Sequence, residues 1–354
     1  TRSLIVTGVQ TCALPISPRQ RLDDLVNLFV PRIRTAFYAA IQNVVDNVIL
    51  NQVIEAIESG NLERAFRTLG MSTAALRPLS AAIERAFEDG GIAMGATFPR
   101  HLNTPGARIA FHFDVRNRRA EDWLREKSSE LVTRIETETR SNVRNQLEIG
   151  MSEGRNPRNV ALDIVGRIDP ATGKRAGGII GLTPNQQFWA DSARRKLVTL
   201  DKSYFEMELR DKRFDRTVAN AIRQGKSLPI DVIDKLSARY RDNALKHRGD
   251  SIARTEAVQA LNRSEWEATK QAIEMGAVKE TAVQREWDDT GDKRTRWSHR
   301  KMNGQRVGID EPFVSPSGAK MMFPGDVSLG APGAETIFCR CRVRSAIDWL
   351  ADID

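Results

Sequence analysis

The sequence predicts an α+β protein, with a mainly helical N-terminal and middle region and a small β-containing, loop-rich C-terminal domain. Three observations carry this. Apolar residues recur at spacings of three and four through most of residues 20–275. After Gly276 that period gives way to alternation and to frequent Gly and Pro. Aromatics are only 6% of a chain that is 40% hydrophobic, so the core is expected to be aliphatic and helical.

The 354 residues allow roughly two or three domains. Val6–Ser17, "VTGVQTCALPIS", reads as a translated sequencing-library adapter, so residues 1–17 are expected to be non-native and the true N-terminus to be missing. The expected divisions of the remainder are 18–117, a helical N-terminal region; 118–250, a long helix plus a helical middle region; and 251–354, the C-terminal domain. With Cys12 set aside, only Cys339 and Cys341 remain, so no disulfide framework is available and a reducing compartment is expected. No apolar run is long enough to predict a membrane span.

Residues 20 to about 60 carry a helical stripe that includes Leu25, Leu28, Phe29, Ile33 and Phe37. Pro31 should kink or divide it, and Gly60 should end it. A second helical stretch covers 62–88, broken near Gly70–Ser72, and the glycines of "DGGIAMGATFP" suggest a loop. One long amphipathic helix is expected from Arg118 to about Glu153. Asn156 and Pro157 open a short helix. Residues 167–181 read as a hairpin or exposed loop with Lys174 and Arg175 at its tip. Thr183 caps the next helix, with Pro184 at its first position. Helical pattern continues over 206–224 and from Pro229 to Met275. Alternation then predicts strands at "KETAVQREWDD" and at 336–344, "TIFCRCRVR".

Side chains two apart on a strand share a face, so Cys339 and Cys341 should point together, opposite Arg340, Arg342 and Arg344. With His299 and a carboxylate such as Asp292 or Asp288 they could hold zinc. The alternative is a reduced pair packed in a small core, because Cys-x-Cys is not the usual zinc-ligand spacing. His299 and Asp292 beside arginines could also form an acid/base pair acting on nucleic acid or a nucleotide. Lys293, Arg294, Arg296, Arg300, Lys301 and Arg306 enclose Trp297, a composition suited to phosphate contact and base stacking. With Arg340 and Arg342 they are candidate contacts to DNA or to a protein partner. The neighbouring Glu286, Asp288, Asp289 and Asp292 argue instead for a charge-balanced solvated loop. A net charge of +8 favours polyanionic partners without demanding one. Within the helix at 252–268, Thr255 and Gln259 share a face.

Four pieces in this order, "ARTEAVQALN", "EWDDTGDKRTRWSHRKMNGQRV", "FPGDVSLGAPGAE" and "IFCRCRV", resemble the phage head morphogenesis, or minor head protein, family of the Mu F type. The matching positions are Arg254, Thr255, Glu256, Trp287, Asp292, Arg294, Thr295, Arg296, His299, Gly304, Phe313, Pro324, Gly325, Asp326, Cys339, Arg340 and Cys341. The family usually carries Asn where this chain has Phe338. The resemblance implies a non-enzymatic structural protein of the virion or procapsid, present in the bacterial host cytoplasm during assembly. It implies the phage portal protein and capsid or scaffold proteins as partners, double-stranded DNA as a further non-specific one, and no membrane. It also implies that Asp292, Arg294, Arg296 and His299 fix loops against the Cys-Arg-Cys segment. No cofactor is expected apart from the zinc weighed above.

Overall fold

The computed structural model describes residues 18–98, 102–104, 107–109 and 111–348. The adapter-like stretch, with Cys12, lies outside them. Helix α1 (Pro18–Asp46) runs unbroken through Pro31. Pro31 is exposed, while Phe29, Ile33 and Phe37 on the opposite side are buried. Each such burial stabilises by about 1.5–3 kcal/mol, which outweighs the ~3 kcal/mol cost of a mid-helix proline. The break expected at Pro31 falls instead at 47–49, before α2 (Leu50–Glu58).

Helix α3 (Leu62–Thr68) is capped by Asn61, whose side chain accepts the Arg64 N–H at 2.8 Å. Helix α4 (Thr73–Gly95) extends through the glycines expected to form a loop. The reason is close approach. A Cβ on Gly90 would stand 2.3 Å from Ser264 Oγ, and one on Gly91 would stand 2.2 Å from the Phe113 ring. The short strands β1 (Leu102–Thr104) and β2 (Ala107–Ile109) pair antiparallel.

Helix α5 (Arg118–Ser152) forms as one piece. The polar residues in its apolar stripe are buried; Asn142 Nδ2 donates to the Leu182 carbonyl at 2.6 Å. Helix α6 (Pro157–Val165) starts at the Asn156 cap. Strands β3 (Arg167–Ile168) and β4 (Arg175–Ala176) form the expected hairpin, with Lys174 at its exposed tip and Arg175 within β4. Helix α7 (Pro184–Val198) opens with a reciprocal box between Thr183 and Gln186. Helicity expected from 206 begins later: two 3-10 turns, Lys202–Glu206 and Lys212–Phe214, precede α8 (Asp215–Gln224).

Helix α9 (Ile230–Glu274) is the axis of the molecule. It packs against α1, α4 and α7 and reaches the C-terminal sheet. Residue 250, where a division is expected, lies inside it. Beyond it come β5 (Val283–Asp288), α10 (Trp297–Met302), β6 (Arg306–Val307), β7 (Phe313–Val314), β8 (Lys320–Met321), α11 (Gly333–Thr336) and β9 (Arg342–Ile347). Antiparallel β5 sits between β6 and β9, with Trp287 opposite Val343. Val283, Arg285 and Trp287 turn to the buried face.

The strand expected over 336–344 is displaced. Residues 333–336 are helical, Phe338 adopts a left-handed conformation (φ 57°), and the strand starts only at Arg342. Turns, not a pleat, bury Cys339 and Cys341 while Ile337 stays exposed. The two cysteines join Trp287, Met302, Phe313, Met321 and Phe323 in a small separate core.

Candidate functional site

The C-terminal motifs converge on this small core. His299 is 1% exposed on α10. Its Nδ1 lies 3.3 Å from Cys341 Sγ and 3.6 Å from Cys339 Sγ, and its Nε2 stands 2.9 Å from Glu335 Oε2. The Trp287 ring meets the imidazole edge-on, with centroids 5.2 Å apart. Both thiols are free and buried. The hydrogen bond between them is the largest influence on each. Together with His299 it holds Cys339 well below the ordinary thiol range, and together with burial it pushes Cys341 up. Burial pushes the Glu335 carboxyl up, but hydrogen bonds from Ser317 and Ser298 and the nearby His299 outweigh it, and the net shift is downward.

Asp292 belongs to a different cluster. Arg340 grips it with two guanidinium nitrogens, Nη2 reaching Oδ1 at 2.6 Å. Oδ1 also accepts the Arg294 N–H at 2.9 Å and the Thr295 hydroxyl at 3.3 Å. The Arg340 bond, above all, holds the Asp292 carboxyl well below the usual carboxylate range. The acid/base pair expected from His299 and Asp292 therefore does not form: His299 faces thiols and Glu335, and Asp292 faces Arg340. Buried Thr295 meets Thr290, Oγ1 to Oγ1, at 2.7 Å. The Arg296 guanidinium donates to the Ile337 carbonyl. Arg294, 83% exposed at its side chain, reaches Asp292 in its own loop at 4.0 Å.

The remaining motif residues are spread along the α9 interface. The Thr255 hydroxyl accepts the Phe338 N–H at 3.1 Å. Glu256 is buried but turns away to Lys127 and Arg134 on α5, at 3.1 and 3.5 Å. Arg254 is half-buried; burial first, then the cations of Arg340 and Arg294, lowers its pKa. Gly304, at φ 77°, turns the chain back so that its N–H reaches the Trp287 carbonyl at 2.8 Å. Asp326 folds the Pro-Gly-Asp turn by accepting the Met322 and Ser328 N–H groups at 2.8 and 2.9 Å.

Four of the expected surface contacts are engaged within the fold, Arg296 with the Ile337 carbonyl among them. Arg340 is committed to Asp292, and Arg342, 8% exposed, pairs with Asp23 on α1. Arg306 pairs with Glu286 at 2.8 Å. Lys293, Arg294, Arg300 and Lys301 are exposed around Trp297, itself 61% exposed. Of the acids expected to balance the basic run, Glu286 pairs with Arg306 and Arg344, Asp292 pairs with Arg340 and at 4.0 Å with Arg294, and Asp289 accepts the Gly291 N–H.

Three residues that sequence reasoning did not single out hold the site together. Asn262 Nδ2 donates to the carbonyls of Val258, Pro324 and Cys341, and Oδ1 accepts the Val343 N–H at 2.8 Å. Arg285, fully buried, donates to the carbonyls of Gly308, Met322 and Glu311. Glu335 backs His299. Asn262 carried one sequence signal: it lies two turns beyond Thr255, on the same helix face. A lone arginine or glutamate announces no partner.

The longest helix of the helical scaffold carries a small α+β head, and the Cys, His and paired Arg/Asp motifs meet at their junction. Residues 212–344 match the family model described as Phage Mu protein F like protein, and over this region the chain is similar to that family. No curated protein and no solved structure matches the chain. No described helix is long and apolar enough to cross a membrane.

Proposed function

We propose that the chain is a minor head protein of the procapsid that docks on the portal and makes non-specific contact with double-stranded DNA. It would be made in the bacterial cytoplasm and enter the head during assembly, beside capsid or scaffold proteins. The supporting observation is the α10 surface. Its inner face is locked by His299 and Met302, 1% and 2% exposed, while Trp297, Arg300 and Lys301 stand outside with Lys293 and Arg294. A rigidly backed cationic surface with an exposed indole suits both phosphate contact and an aromatic anchor in a protein interface.

The test is co-purification of the chain with the portal protein of the same phage at low and moderate salt, alongside duplex-DNA binding across a salt series. A portal complex that survives moderate salt, and DNA binding that weakens steeply as salt rises, are expected. Replacing Lys293, Arg294, Arg300 and Lys301 with Ala should flatten the salt dependence of DNA binding. No portal complex at either salt would overturn the portal role, and DNA binding unchanged by the four substitutions would overturn this surface.

A further inference from the structure

We propose that His299, Cys339 and Cys341 bind one zinc ion through Nδ1 and two thiolates, with Glu335 orienting the imidazole from behind. The nitrogen–sulfur separations are already those of a tetrahedral site. Zinc–nitrogen bonds of about 2.0–2.1 Å and zinc–sulfur bonds of about 2.3 Å at the tetrahedral angle put nitrogen and sulfur about 3.5 Å apart. The observed separations are 3.3 and 3.6 Å. All three donor atoms lie within 4.8 Å of one another. His299 turns one nitrogen toward two sulfurs and the other toward a carboxylate. That is the arrangement of a metal-bound histidine, in which an outer carboxylate fixes the tautomer that leaves the inner nitrogen's lone pair free.

The surroundings agree. Glu335 is itself held by Ser298 and Ser317, each at 2.8 Å, so the orienting carboxylate is fixed on both oxygens. The buried Trp287 Nε1–H has no oxygen or nitrogen acceptor in the fold, and it lies beside Cys341. A metal-bound thiolate offers that acceptor. Asp292, one of the two carboxylates weighed from sequence as a ligand, is committed instead to its two bonds with Arg340. Among the described residues no fourth protein donor joins the three, so solvent completes the tetrahedron. Binding displaces the thiol protons to solvent and ties α10 to the segment before β9.

The experiment uses the full chain carrying Cys12→Ser, so that only the two site thiols report. Elemental analysis after purification under reducing conditions should give one zinc per chain. Cobalt substituted for zinc should give a sulfur-to-metal charge-transfer band in the near ultraviolet, lost in Cys339→Ser and Cys341→Ser. Those variants could fail to fold, so Glu335→Gln supplies the second arm. It should keep zinc stoichiometry but bind roughly 10–100-fold more weakly in competition with a chromophoric chelator. Substoichiometric zinc after incubation with zinc sulfate, together with no cobalt band, would overturn the site and leave a packed thiol pair. Full zinc with unchanged affinity in Glu335→Gln would overturn the orienting role.

Discussion

Asn262 Oδ1 on α9 accepts the main-chain N–H of Val343 on β9 at 2.8 Å, and the same carboxamide donates to the carbonyl of Cys341. One side chain thus continues the edge of the C-terminal sheet onto the helix. Asn262→Leu keeps the approximate volume but leaves the Val343 N–H and the Pro324 and Cys341 carbonyls short of partners. A loss of about 2–4 kcal/mol is expected in urea unfolding; a loss below that of an ordinary surface substitution would show that these bonds are replaced by solvent.

Arg285 plays the corresponding part on the other side of β5. Burial pulls its pKa down to about 10, so it stays charged at neutral pH. Arg285→Met should cost about 3–5 kcal/mol, because three carbonyl groups lose a charged donor at once. Arg285→Lys should recover only part, since an ammonium cannot span the same fan of acceptors. Thermal unfolding of the two variants checks both the size and the order.

Phe338 stands in left-handed conformation, where a short polar residue is favoured and a β-branched one is not. Its ring packs on His247 with centroids 5.7 Å apart, and any small replacement removes that packing. The informative comparison is therefore Phe338→Asn against Phe338→Val. Asn should be the more stable by about 1–2 kcal/mol; equal stabilities would mean that the backbone relaxes out of this conformation.

Glu265 gives a pH signature. Burial, partly offset by the Ser345 N–H at 2.9 Å, raises its carboxyl to about 7 although the side chain is not wholly shielded. The folded state then holds a proton that the unfolded state has released. Its contribution is full below about pH 4.5 and is lost as pH rises through 7. Relative to Glu265→Gln, the parent should lose about 2–3 kcal/mol between pH 5 and 8. A flat difference across that range would place the carboxylate in water.

Asp292 runs the other way. Its depressed pKa means that the Arg340 pair stabilises above the ordinary aspartate range and is lost as pH falls below it. Asp292→Asn should remove that acid-side slope, seen as a smaller decline of the melting midpoint between pH 5 and 3.

The helices were legible where local chemistry is sufficient. Asn156 with Pro157, and Thr183 with Pro184, mark their starts by capping alone. Pro31, Gly90 and Gly91 misled because their context is tertiary: the first is exposed, and the others are pressed against α9 and Phe113. In the site, Cys339, Cys341 and His299 do converge, but not by the strand pleat that suggested it. The turn at Phe338 and the short helix α10 bring them together. Arg285 and Glu335 carried no pattern, because each serves backbone or side-chain partners far off in sequence, and Asn262 carried only its place on the Thr255 face of the helix.

Helix α9, at 45 residues, is about 67 Å of continuous rod. It lends side chains to three of the four apolar clusters and brackets the fourth through Asn262. Such a rod is a ruler and a beam. It sets the distance between the hairpin end of the scaffold and the α10 surface, and a push at one end arrives at the other with little bending. Melting should follow suit, as one event rather than a succession of local losses.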